Sequence, residues 1–138
     1  MLAGVVLGVG VFTFGYAKGG SYLTDDPQSC ANCHVMQEQF AAWLKGSHRK
    51  AAVCNDCHAP AGFISKYAVK AINGFFHSWA FTTGRFPDNI RITQMNLRVS
   101  RQACLNCHGE LMSATTTARE HGAAIDCLAC HRDAGHMH

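Results

Sequence analysis

The sequence predicts a mostly α-helical fold with little sheet, covalently stapled and preceded by one N-terminal transmembrane helix. Three observations predict it. Four Cys-x-x-Cys-His motifs use every cysteine, residues 2–17 are almost wholly apolar, and the segments between motifs carry helical spacing with no convincing alternation.

The motifs are Cys30-Ala-Asn-Cys33-His34, Cys54-Asn-Asp-Cys57-His58, Cys104-Leu-Asn-Cys107-His108 and Cys127-Leu-Ala-Cys130-His131. Each is a c-type haem attachment signature: two thiols on one turn add across the two vinyl groups of a haem, and the adjacent imidazole reaches the iron. Zinc sites, disulfides and thioredoxin-like pairs also use paired cysteines, but none needs histidine after every second one. Four covalently bound haem c groups are therefore expected, and the protein should move electrons. With 138 residues there are about 35 per haem, too few for a large core, so haem faces should form much of the interior. Thioether links would constrain the chain as disulfides do in other small domains.

The formal charge is +3. Eight haem propionates, if ionised, set against it leave the holoprotein near about −5, so the basic balance gives no support for nucleic acid binding. Lys and Arg are scattered, with no run longer than Arg49-Lys50.

Covalent haem attachment takes place outside the cytoplasmic membrane, so the motifs must be exported. Residues 2–17 (LAGVVLGVGVFTFGYA) suit a membrane helix, although sixteen residues rise only about 24 Å against a hydrocarbon core of roughly 30 Å. A cleaved signal peptide is the rival reading. No basic segment precedes the apolar run and no Ala-x-Ala site follows it, which favours an uncleaved anchor over residues 1–22. Haem attachment orients it, with the N-terminus inside and residues 23–138 as a periplasmic domain of a bacterial cytoplasmic-membrane protein.

The motifs start at 30, 54, 104 and 127. This spacing gives two dihaem modules, 28–58 and 102–138, around an insert, 59–101. His48 lies six residues before Cys54 and His121 six residues before Cys127, so the modules read as an internal duplication. Residues 25–29 (DDPQS) read as a turn opening the haem domain. Residues 36–44 (MQEQFAAWL) read as a short helix ended by Gly46, and residues 110–120 as another ended by Gly122.

Residues 63–86 of the insert read as a helix. Lys66, Lys70, Asn73 and His77 fall at spacings of 4, 3 and 4, which makes one polar stripe, with Phe63, Ile64, Tyr67, Ile72, Phe75, Phe76 and Trp79 around the rest. Such a helix suits the membrane interface; equally, it suits packing on haem faces with its lysines paired to propionates.

Four irons take up to eight ligands. Beyond His34, His58, His108 and His131, the spare histidines are His48, His77, His121, His136 and His138. The repeat favours His48 and His121. His136 follows His131 by five residues and can fold back to a neighbouring iron, whereas the last residue, His138, is prone to fray. Met36 stands two residues after His34. It is either a core methionine or the ligand of the first iron in place of His34, where a thioether would raise the potential.

Residues CANCHVM, WLKGSH, CNDCHAP, KYAVKAINGFFHSWAFTTG, CLNCH and CLACHRDAGH together resemble the NapC/NrfH family of membrane-anchored tetrahaem quinol dehydrogenases across the whole chain. The resemblance implies Met36 on the first iron instead of His34, His58, His108 and His131 as proximal ligands, and His48 and His136 as distal ligands of haems held by other motifs. It implies that Lys70 sits at the quinol site beside the first haem. His77 stands where relatives carry aspartate or histidine, and His121 would complete a haem that some relatives ligate from a partner. It also implies menaquinol as donor and a periplasmic multihaem reductase, the cytochrome c nitrite reductase catalytic subunit, as electron acceptor. A shuttle without quinol chemistry would share the haem motifs. A terminal reductase would need an open iron in a polar pocket, and no motif departs from Cys-x-x-Cys-His toward one.

Overall fold

The computed structural model describes residues 1–114 and 126–136; His121, His138 and most of the helix expected over residues 110–120 lie outside them. The described elements are α1 (Leu2–Tyr16), α2 (Pro27–Cys30), α3 (Gln37–Lys45), α4 (Cys54–His58), α5 (Phe63–Thr83), α6 (Gln94–Ala114) and α7 (Cys127–Cys130), with 3₁₀ turns at Gly19–Leu23, His34–Met36 and Ser47–Lys50. Among the described residues there is no strand, as the absence of alternation implied.

α1 is apolar on all sides and exposed along its length. Its 15 residues rise about 22 Å, and no helix among the described residues is long and apolar enough to cross a membrane. Lys18, the only non-glycine residue with positive φ among those described (51°), turns the chain out of α1 into the Gly19–Leu23 turn.

The expected turn at residues 25–29 is a helix start. Asp26 Oδ1 accepts from Gln28 N–H at 2.9 Å, and Pro27 occupies the first helical position of α2, where its missing N–H costs nothing. α3 ends at Gly46 as expected, and Trp43 Nε1 donates to Ala52 O at 3.2 Å, pinning the chain that leads into α4. Asp56 caps α4 from within by accepting from Val53 N–H at 2.8 Å.

α5 runs 21 residues and stops at Gly84, whose φ of 63° is the left-handed conformation that ends many helices. α6 also runs 21 residues and carries the third motif inside it. Residues 110–114, the expected start of a separate short helix, continue it. The two modules accordingly differ: motifs one, two and four sit on or beside short helices, motif three within a long one. α4 and α7 both pack on α6, and α5 packs on the Gly19–Leu23 turn.

Candidate functional site

The polar stripe of α5 faces the protein. Lys66 and Lys70 both donate to Asp25, Asn73 exchanges side-chain amide bonds with Asn96 of α6 at 3.2 and 3.0 Å, and His77 meets Tyr22. Apart from Tyr67, the aromatic remainder points outward, with Phe63 78% and Phe76 59% exposed. A solvated surface helix shows the reverse arrangement.

Between α1, the Gly19–Leu23 turn and α5 lies a cleft of about 840 Å³, lined mainly by apolar groups with Tyr22, Tyr67 and Lys70 among them. Lys70 is 7% exposed, the one buried charged side chain among the described residues. Its ammonium donates to Thr24 O at 2.8 Å and Asp25 Oδ1 at 2.9 Å, and lies 5.3 Å from the centre of the Tyr67 ring. These partners offset the cost of holding a charge away from water.

His77 does not line the cleft; Tyr22 does, and its hydroxyl is hydrogen-bonded to His77 Nδ1 at 2.9 Å. His77 keeps the accessible area of an exposed residue, yet protein crowded around the ring desolvates it and lowers its pKa. Area governs access and crowding governs charge, so the imidazole is neutral near pH 7 and able to accept a proton.

Two variable positions of the haem motifs reach this end of the molecule. Within the first motif, Asn32 accepts from Lys18 Nζ at 3.0 Å and donates to Ser21 Oγ at 2.9 Å. Within the second, Asn55 donates to Thr24 O at 3.2 Å and Asp25 Oδ1 at 2.8 Å. The cleft is thereby tied to the first two attachment loops.

The motifs follow one another in space as they do in sequence. A hydrogen bond between the Cys30 and Cys54 thiols holds Cys30 down to about 7 and raises Cys54. Burial, then the nearby Cys104, raises Cys57; burial, then Cys127, raises Cys104. None of the eight cysteines forms a disulfide.

The histidines come in pairs. His48 and His108 have ring centroids 6.2 Å apart, and His58 and His136 are 5.9 Å apart. Two imidazoles on opposite sides of one metal, each bonded at about 2 Å, place their ring centres about 6 Å apart. His48 Nδ1 donates to Ala134 O and His136 Nδ1 donates to Gln39 O, each at 2.9 Å. A carbonyl on Nδ1 fixes the tautomer and leaves Nε2 as the free lone pair, the arrangement of metal-binding imidazoles. Burial, then His136, lowers the pKa of His58 and keeps that ring neutral, as a ligand must be. These residues fit two bis-histidine haems. His34 and Met36 share one 3₁₀ turn, and His131 is the residue after α7.

Lys70, Lys66, Asn73 and His77 were legible from helical spacing. Tyr22, Asp25, Asn32 and Asn55 were not, because their partners lie 11 to 55 residues away. Only the asparagines offered a signal, as small amides inside motif loops.

The pattern of the NapC/NirT cytochrome c family, N-terminal region, matches residues 1–138. The cytochrome c-type protein NrfH of Wolinella succinogenes is 37% identical, aligned over 96% of this chain and 80% of its own. The cytochrome c nitrite reductase subunit NrfH of Nitratidesulfovibrio vulgaris is 32% identical over 99% and 82%. The crystal structure of a cytochrome c nitrite reductase NrfHA complex bound to the HQNO inhibitor is similar at a TM-score of 0.72 and 27% identity, covering 99% of this chain and 91% of the solved one. The four attachment motifs, the paired imidazoles and this whole-length match agree: the chain belongs to the NapC/NirT family of c-type cytochromes, proteins that carry covalent haem c.

Proposed function

We propose that the protein oxidises menaquinol in the cleft beside α5 and passes the electrons to a periplasmic multihaem reductase, the catalytic subunit of a cytochrome c nitrite reductase. The observation that carries this reading is Lys70: a buried ammonium lining a largely apolar cleft that α1 and α5 share. The partner follows from relatives that are nitrite reductase subunits.

Residues 1–22 anchor the chain once in the cytoplasmic membrane, and residues 23–138 form the periplasmic domain, with modules 28–58 and 102–138. The short α1 is accommodated by local bilayer thinning. The insert, 59–101, lies on the membrane surface, supported by the inward polar stripe and outward aromatics of α5.

Cys30, Cys33, Cys54, Cys57, Cys104, Cys107, Cys127 and Cys130 would hold four haems as thioethers, which when bound supply one-electron acceptors. Met36 would serve the first iron in place of His34, His58 and His136 the second, and His108 and His48 the third. His131 would serve the fourth, with His121 its candidate partner. Lys70 stabilises the quinol oxygen as negative charge develops on it. Tyr22 lines the cleft and joins it to His77, which accepts a proton.

In proteoliposomes the wild-type protein should show menaquinol-dependent haem reduction that collapses in Lys70→Ala. Wild-type kinetics in that variant would remove Lys70 from the site.

A further inference from the structure

Asp25 lies outside every haem motif and outside α5, between the Gly19–Leu23 turn and α2. Its carboxylate nevertheless gathers three donors from two other elements. Lys66 Nζ donates to Oδ2, Lys70 Nζ to Oδ1 at 2.9 Å, and Asn55 Nδ2 to Oδ1 at 2.8 Å. The neighbouring carbonyl of Thr24 accepts from the same Lys70 at 2.8 Å and the same Asn55 at 3.2 Å. The bond from Lys66, then that from Lys70, holds the Asp25 carboxyl well below the usual carboxylate range.

An ammonium carries three N–H donors. Lys70 uses two on Thr24 O and Asp25, and it lines the cleft, so one donor remains for a ligand there. Two lysines on one carboxylate also leave a surplus positive charge beside the cleft, suited to an oxygen gaining negative charge. Lys66 does not line the cleft, so it supports the carboxylate without competing for the ligand. A lysine head on a four-carbon stem has no preferred direction of its own; the direction here comes from Asp25 and Thr24.

We infer that Asp25 is a positioning residue of the quinol site, holding the Lys70 ammonium with its third N–H toward the cleft and fixing that geometry to the Cys54–Cys57 loop through Asn55. The inference rests on the menaquinol reading and deepens it.

A double-mutant cycle on the full-length, four-haem protein tests it, with HQNO and menaquinol as probes. Asp25→Asn is expected to weaken HQNO binding and raise the menaquinol KM by about tenfold, with a smaller fall in kcat, while in the Lys70→Ala background the same change should add little. Asp25→Glu keeps the charge and should stay within about threefold of wild type. Equal losses from Asp25→Asn in both backgrounds would overturn the inference, as would an Asp25→Glu loss as large as that of Asp25→Asn. Where Asp25→Asn does not accumulate with four haems, Asp25→Glu decides alone: a loss within about threefold that vanishes in the Lys70→Ala background supports the inference, and a larger loss or one equal in both backgrounds sinks it. Wild-type protein that neither binds HQNO nor oxidises menaquinol removes the quinol reading and this inference with it. HQNO binding that is lost in Lys70→Ala yet indifferent to Asp25→Asn removes the inference alone.

Discussion

The cleft end and the motif end of this molecule are held by different means. Around Asp25, four parts of the chain meet through the protein's own polar atoms: the Gly19–Leu23 turn, the first and second motif loops, and α5. Around the motifs there is almost no apolar core. Among the described residues the buried apolar side chains are Ala59 of the second motif's flank and Ala103 beside the third, and no large side chain is fully buried. Such a scaffold cannot stand on burial alone. The cleft is thus a site the chain builds by itself, whereas the motif end depends on what its cysteines hold.

The largest effect should come from cutting one staple. Cys54→Ser with Cys57→Ser removes the attachment in the loop that also reaches Asp25. By analogy with disulfides, whose loss costs small domains about 2–5 kcal/mol, this is a large share of a stability of about 5–15 kcal/mol. We expect no cooperative melt by far-UV circular dichroism and rapid proteolysis, whereas Lys70→Ala should retain four haems and a cooperative melt, lowered by the loss of its bonds to Thr24 and Asp25. A cooperative melt in the double serine variant would break the comparison.

Next come the imidazole pairs. His48→Ala and His136→Ala should each convert one low-spin haem to high spin by electron paramagnetic resonance, and not the same one: His48 stands opposite His108, His136 opposite His58. The double variant should lose both signals. Loss of one signal common to both variants would contradict the pairing.

The start of α5 and its stripe were legible because spacings of 4, 3 and 4 are a local signal, although Gly84 stops the helix three residues short of the expected end at Phe86. So was the end of α3 at Gly46. The course of α6 was not, because a haem motif carries no helical spacing of its own, yet nothing between Gln94 and His108 is glycine or proline, so the helix runs through it. The function of Asp25 was invisible for another reason. It reads locally as part of a turn, and its role comes from Lys66 and Lys70, 41 and 45 residues away. Which histidine faces which was equally non-local: His48 is fixed by Ala134, 86 residues on.

At the cleft, Tyr22→Phe keeps the ring that packs against Gly74 and removes the hydroxyl on His77. Menaquinol oxidation should slow by about three- to tenfold with HQNO binding unchanged, since only proton acceptance is affected. A loss of HQNO affinity instead would give Tyr22 a binding role.

The smallest effect belongs to Arg101 and Asp126, at the motif end, and it sharpens the contrast. Arg101 donates to both Asp126 oxygens, and Asp126 also caps α7 by accepting from Leu128 N–H at 3.2 Å. The Arg101 bond, foremost, lowers the Asp126 pKa. A carboxyl lowered in the folded state stabilises fully above the unfolded value, near 4, and that contribution is lost as pH falls toward the folded one. The difference in melting temperature between wild type and Arg101→Ala should therefore be flat from pH 7 to about 5 and shrink below about 4. Asp25 is lowered too, so acid loosens both ends. Salt separates them. The Arg101–Asp126 pair is solvent-exposed on both sides and screened, whereas Lys70 is 8% exposed at its side chain and shielded. Raising ionic strength at pH 7 should shift the melt of wild type and Arg101→Ala toward each other while leaving HQNO affinity unchanged. A salt-dependent HQNO affinity would mean that the cleft, like the motif end, is open to screening ions.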